Sequence, residues 1–174
     1  DGSGNVYFGG ESYVRRSPAA GDYDAFAANI NKWNTTPLSG YLVLGSNSEA
    51  VYLTETEKLK LIELTVRAAH PDRIILAGTG LESTRATIDL TNKAAKLGAQ
   101  AALVLTPFYY GGSMDDRALI TFFTDVADNS DIPILIYNVP KFTHINISAK
   151  AIEILSQHPN IIGMKDSTGN VPQL

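Results

Sequence analysis

Five short apolar runs punctuate the chain: "LSGYLVLG" at 38–45, "RIILAG" at 73–78, "AQAALVLTP" at 99–107, "IPILIYNVP" at 132–140 and "NIIGMK" at 160–165. Each is rich in β-branched residues and nearly continuous rather than alternating, which predicts strands buried on both faces. The stretches between them carry apolar residues at helical spacing. "TETEKLKLIELTVRAA" opens on Thr54 with Glu57 three residues on, a capping box, and sets Leu59, Ile62 and Val66 on one face. "STRATIDLTNKAAKLG" opens on Ser83 and stops at Gly98, a natural residue just past a helix end, with Ile88, Ala95 and Leu97 available to pack. "DDRALITFFTDVADN" and "SAKAIEILSQH" continue the alternation, and "YDAFAANINKW" predicts one more helix ahead of the first strand.

A strand followed by a helix, repeated at roughly thirty residues, is the βαβ signature of a parallel sheet with right-handed crossovers. The fold class is α/β. A flavodoxin-like open sheet needs only five strands, whereas a (β/α)8 barrel usually takes about 250 residues, so length alone favours the open sheet. The strand ends favour the barrel. They read "LGSNSEA", "AGTGLEST", "TPFYYGG", "YNVPKFTH" and "MKDSTGN", each polar and rich in Gly, Pro or hydroxyls. An open sheet furnishes two or three ends at a single crevice, but a barrel brings every strand end to one mouth.

Composition narrows the function classes. The 174 residues are 44% hydrophobic and 18% charged, ordinary for a globular domain, and the net charge of -4 comes without a basic stripe to hold nucleic acid. The absence of cysteine excludes disulfides and cysteine-based zinc sites and is compatible with a reducing cytosol, so a cytoplasmic setting is expected. His70, His144 and His158 share no ligand spacing and read as surface-loop residues, so no metal is expected. No apolar run approaches the ~20 residues of a membrane helix. The N-terminal "DGSGNVYFGGESYVRRSPAAGDYD" lacks the apolar core of a secretion signal and reads as loop.

The chemistry concentrates at the strand ends. Lys165 closes "NIIGMK" and lies at the rim of the core. Desolvation disfavours an ammonium, and a neutral amine is a nucleophile towards a carbonyl carbon, giving a Schiff base that acts as an electron sink. Against this stands a lysine that snorkels to water or pairs with Asp166. Tyr137 occupies the corresponding place on the preceding strand, ~4.8 Å away across the sheet, where a phenol can move protons for carbinolamine formation and carbon–carbon cleavage. The alternative is a half-buried aromatic whose hydroxyl meets backbone. "GSNSE" at 45–49 is a donor-rich turn suited to a carboxylate, or simply a βα loop. "GTGLES" approaches a dinucleotide phosphate loop but has Ser83 in place of the third glycine.

Taken together, "GSNSEA", "AGTGLEST", "TPFYY", "YNVP" and "GMKDSTGN", in this order and spacing, resemble the dihydrodipicolinate synthase / N-acetylneuraminate lyase family of class I aldolases, from about Asp22 onward. The resemblance implies a (β/α)8 barrel, usually in a homotetramer, and a lysine Schiff base with pyruvate or another 2-oxo acid, with no cofactor. Residue by residue, it implies that Lys165 forms the imine and Tyr137 is proton donor and acceptor. It makes Ser46 the hydroxyl of the proton relay, and gives Asn47 a part in holding the 2-oxo acid's carboxylate. Tyr110 resembles the tyrosine that reaches a neighbouring subunit's site, although Tyr109 aligns equally well.

Three departures refine the expectation. Ser48 stands where the family's loop usually has glycine; if that position needs positive φ, serine costs roughly 1 kcal/mol or more of strain. Phe142 stands where lysine-forming synthases carry a substrate-binding arginine, and a phenyl ring cannot replace a guanidinium for carboxylate recognition. Condensation with aspartate semialdehyde is therefore disfavoured, and "GSN" resembles the 4-hydroxy-2-oxoglutarate aldolase branch. Last, "GGESYVRRSPAAGDY" has no family counterpart, so 1–21 reads as an irregular segment with an insertion and 22–174 as a partial barrel of about five βα units. A chain lacking the later strands is expected to leave sheet edges exposed, and a catalytically incomplete piece is an alternative to an enzyme.

Overall fold

The computed structural model describes residues 23–170, so the irregular segment expected over 1–21 lies outside the described residues. The elements run α1 (Tyr23–Trp33), β1 (Gly40–Val43), α2 (Glu55–Ala68), β2 (Ile74–Gly78), α3 (Thr84–Leu97), β3 (Ala101–Leu105), α4 (Asp116–Asp128), β4 (Ile134–Asn138), α5 (Pro140–Thr143), α6 (Ala149–Leu155) and β5 (Ile161–Asp166). Every expected strand and helix forms. The first four strands lie inside their apolar runs, and β5 extends one residue past its own, to Asp166. Their order is β1-β2-β3-β4-β5, with parallel pairing. A doubly wound sheet reverses its order at a switch point, whereas a barrel wall follows the chain. The fold is therefore of the (β/α)8-barrel type, represented by five strands.

The chain divides into two units. The first takes the chain up to Gly78 together with Lys93–Gln100. Its strand β1 pairs with β2, Gly40 opposite Ile74. Helix α2 begins with the expected capping box: the Thr54 hydroxyl accepts from the Glu57 N–H and the Glu57 carboxylate accepts from the Thr54 N–H at 2.8 Å. Its buried stripe is Leu61, Ile62 and Thr65; of the expected Leu59, Ile62 and Val66, Ile62 is buried and the other two are half-buried. Thr65 is buried because its hydroxyl donates to the Leu61 carbonyl at 2.8 Å, so a residue that pattern reading counts as polar brings no unsatisfied group inside. Gly98 follows α3 with φ 106°, as expected of a residue just past a helix end.

The second unit takes Thr79–Asn92 and the chain from Ala101 onward. The same substitution of threonine for aliphatic residues recurs in α3, where Thr87, Leu90 and Thr91 are buried while the expected Ile88 is only partly so. The Thr91 hydroxyl donates to the Thr87 carbonyl at 2.7 Å. The core of this unit joins Leu119, Phe122, Phe123 and Val126 of α4 to Ile134 and Ile136 of β4 and to Leu155 of α6. Phe122 and Phe123 meet edge to face at 5.1 Å. Each fully buried side chain of this size contributes roughly 1.5–3 kcal/mol of transfer free energy, enough to hold β4 rigid.

Strand β5 departs from the expectation of burial on both faces. Only Ile161 is buried, and Ile162 is 57% exposed. Among the described residues β5 pairs with β4, and a register shift between Ile134 and Leu135 leaves Ile162 outside that pairing. Its start is nonetheless anchored. Asn160 donates from its side chain to the Ala127 carbonyl at 2.8 Å and the Ser130 carbonyl at 3.2 Å, tying β5 to the end of α4.

Candidate active site

Parallel pairing puts residue against residue at the C-terminal ends of β4 and β5: Tyr137 is opposite Lys165 and Asn138 opposite Asp166. Side chains alternate along a strand, so Tyr137 and Lys165 share one face of the sheet and Asn138 and Asp166 the other. On the first face, Tyr137 is buried, 4% exposed, and the half-buried Lys165 holds its Nζ 4.4 Å from the centre of the tyrosine ring. The sequence expected these two side chains to be neighbours, and they are.

On the second face the polar groups are fully engaged. The Asn138 amide donates to Asp166 Oδ2 at 2.7 Å and to Asn146 Oδ1 at 2.8 Å, while its carbonyl accepts from the Ile147 N–H at 3.2 Å. The other Asp166 oxygen accepts from the Thr168 N–H at 2.8 Å and from the Thr168 hydroxyl. Desolvation raises the Asp166 carboxyl's pKa, but the hydrogen bonds from Thr168 and Asn138 outweigh it, and the group lies below its ordinary value. Among the described residues, no ion pair joins Asp166 to Lys165. The alternative reading of Lys165 as the ion-pair partner of Asp166 is therefore not what the strand end displays.

Ser46 and Asn47 belong to the first unit, in a single 3-10 turn, Ser46–Ser48, just beyond β1, and both are exposed. Ser48 carries no positive φ, so the condition under which serine would strain the loop is not met. The left-handed residues around this turn are Leu44 and Glu49, the latter with φ 56°, and the Ser48 hydroxyl instead donates to the Gly45 carbonyl at 2.6 Å. Tyr110 and Tyr109 project from the turn after β3, 73% and 75% exposed, with ring centres 5.0 Å apart. Glu82 positions this turn by accepting from the Phe108 N–H at 3.0 Å and the Tyr109 N–H at 2.9 Å. A cleft of about 500 Å³ in the second unit is lined by Glu82, Tyr109, Tyr110, Met114 and Arg117 among others, but not by Tyr137 or Lys165. The chemistry-bearing pair and this cleft are thus different places.

The "GTGLES" glycines answer to packing. A Cβ on Gly80 would lie 2.5 Å from the Leu105 nitrogen, so the residue is small because a neighbouring backbone is close. Phe142, in α5, is half exposed, and the Lys141 Nζ lies 5.6 Å from its ring centre. Among the histidines, His70 and His144 are exposed as expected, but His158 is half-buried. Its ring contacts Asp128 at 2.9 Å and accepts from the Asn160 N–H at 3.1 Å, so it braces the approach to β5. Asn138, Thr168 and Glu82 were not singled out in the sequence, and Asp166 entered there only as an alternative ion-pair partner of Lys165. The available signal for Asn138 and Asp166 was their equal offset from Tyr137 and Lys165 in "YN" and "KD".

A family model described as "Dihydrodipicolinate synthetase family" matches residues 22–174. The chain belongs to that family. Among curated members, the 4-hydroxy-tetrahydrodipicolinate synthase of Macrococcus caseolyticus is 36% identical over 170 residues, 96% of this chain and 57% of that one. The one from Ligilactobacillus salivarius is 44% identical over 131 residues, 75% and 44% of the two chains. Among solved structures of the family, the chloride-inhibited dihydrodipicolinate synthase of Acinetobacter baumannii, complexed with pyruvate, superposes with TM-score 0.82 at 33% identity, covering 87% of this chain and 52% of that one. A prophage member from E. coli K12, also in complex with pyruvate, gives 0.81 at 29% identity, covering 87% and 51%. The chain spans about half the length of the family members it matches. No helix among the described residues is long and apolar enough to cross a membrane.

Proposed function

We propose that this chain carries class I aldolase chemistry on a 2-oxo acid, with pyruvate as the substrate that Lys165 binds covalently. The observation that carries the reading is the register of Tyr137 against Lys165, with the amine 4.4 Å from the ring centre at the C-terminal strand ends. In this scheme the Lys165 amine adds to C2 of pyruvate, water leaves, and the imine accepts the electron pair released when a proton or carbon leaves C3. Tyr137 gives and takes the protons of those steps; the family resemblance adds Ser46 to the relay and Asn47 as a donor to the carboxylate, and assigns Tyr110 to a neighbouring subunit's site. The imine is the electron sink, so the scheme calls for no cofactor.

Two directions compete for the second step. Phe142 counts against condensation and the "GSN" triplet points to cleavage of 4-hydroxy-2-oxoglutarate, but curated relatives of this chain are 4-hydroxy-tetrahydrodipicolinate synthases, which supports condensation of the enamine with an aldehyde. Lys141 bears on the objection raised by Phe142, because it supplies a cation in the same short helix. Condensation of the synthase type is therefore the reading taken here.

Sodium borohydride with pyruvate tests the first step. A reduced pyruvyl adduct mapped to Lys165, and lost in Lys165→Ala, is expected; no adduct at millimolar pyruvate sinks the reading. Incubation with pyruvate plus aspartate semialdehyde, against 4-hydroxy-2-oxoglutarate alone, decides the direction. Turnover of the second without the first reverses the assignment.

A further inference from the structure

The structure assigns Asn138 and Asp166 a role as a positioning pair, a clamp on the far face of the sheet that sets Lys165 against Tyr137; this rests on Lys165 being the imine-forming residue. Three observations carry it. First, the clamp lies one residue beyond the Tyr137–Lys165 pair in both strands, where a parallel ladder ends and would otherwise fray. Beyond it, among the described residues, the Ser167 N–H donates to the Asn138 carbonyl at 2.9 Å.

Second, Asn138 is fully buried, and its amide uses both donors and its acceptor, on Asp166, Asn146 and the Ile147 N–H. A buried amide so completely engaged costs nothing in unsatisfied groups and has one orientation. It therefore transmits position rather than merely filling space. Cross-strand pairing to β4 restrains β5 at this end, with Tyr137 opposite Lys165 and Asn138 opposite Asp166.

Third, both Asp166 oxygens are committed, one to Asn138 and the other to Thr168. The carboxylate next in sequence to the nucleophile is thereby held on the opposite face. Released, it becomes a flexible anion beside an ammonium, and pairing with it would hold the amine protonated and turned away from the carbonyl carbon.

The test compares Asn138→Asp, Asp166→Asn and the exchanged pair carrying both changes. Asn138→Asp faces two carboxylates across the strand ends, whereas the exchange restores one amide-to-carboxylate bond with the partners reversed. Leu155→Ala, a core truncation in α6 away from the strand ends, is the control for lost stability alone. Under borohydride at saturating pyruvate, Asn138→Asp is expected to slow adduct formation on Lys165 by ten- to a hundredfold, the scale of a misplaced reacting group. Half-saturation by pyruvate should move much less, and the exchanged pair should recover most of the rate.

A second readout needs no 2-oxo acid: acylation of Lys165 by acetic anhydride, followed by mass spectrometry, in the same four variants. Altered Lys165 acylation in Asn138→Asp, restored in the exchange and absent in Leu155→Ala, supports the clamp even if the unmodified chain forms no pyruvate adduct; that result overturns only the Schiff-base reading. The clamp is overturned if both readouts in Asn138→Asp match those of the unmodified chain, or change no more than in Leu155→Ala at the same loss of melting temperature.

Discussion

Replacing Tyr137 with phenylalanine separates chemistry from packing at the candidate site. The ring is 4% exposed and lies 4.4 Å from the Lys165 Nζ, so phenylalanine keeps both the buried surface and the face presented to the amine. What it loses is the phenolic proton. Positioned general acid–base groups contribute about 10²–10⁴ in rate, equivalent to roughly 3–5 kcal/mol of barrier. Tyr137→Ala would instead remove the whole ring, costing on the order of 3–5 kcal/mol of stability, and would confuse the two effects. Exchange of the pyruvate methyl protons with deuterium, followed by NMR, is the informative assay, because it requires imine formation and then proton removal at C3 but no second substrate. Tyr137→Phe is expected to retain borohydride-trappable imine and a melting temperature within a few degrees, while methyl exchange falls by about two orders of magnitude or more. Exchange at the unmodified rate, with imine intact, would remove Tyr137 from the proton path and leave its register with Lys165 a matter of packing.

Two further outcomes concern stability. Thr54→Ala deletes one half of the capping box on α2 and should cost about 1 kcal/mol in urea denaturation, while Thr54→Ser keeps the acceptor and should cost much less; equal losses would mean that the methyl group, not the cap, matters. The Asp166 carboxyl is depressed in the folded state, so its contribution is present above its ordinary value of 3.8 and disappears as pH falls through its lower folded value. The gap in melting temperature between the unmodified chain and Asp166→Asn should therefore narrow below about pH 4; a gap constant from pH 7 to pH 3 contradicts the assigned hydrogen bonds.

Much of this was legible along the chain. Continuous apolar runs separated by amphipathic stretches reveal parallel strands and crossover helices, because burial on two faces leaves no polar alternation. The capping box at Thr54 needs only three residues of separation and is local, so it could be read directly. The sides of α2 and α3 were misread for a physical reason. Thr65, Thr87 and Thr91 satisfy their hydroxyls within or beside their own helices, and a residue so satisfied is free to enter the core. Whether Ser48 needed positive φ could not be read locally, because a family glycine does not reveal which residues of a loop take the left-handed conformation; around this turn they are Leu44 and Glu49.

Fold class, family and the identity of the strand-end residues are encoded locally, since they depend on periodicity and on short motifs of contiguous residues. Which of those residues share a face, and which groups they engage, follows from the packing of distant segments. Register joins Tyr137 to Lys165 across twenty-eight residues of chain and, one step on, turns Asn138 and Asp166 to the other side. Such partnerships come from hydrogen bonds between distant segments, and no local pattern encodes whether a carboxylate beside a lysine will pair with that lysine or with an amide on the next strand. Here it pairs with the amide, and the lysine meets the ring.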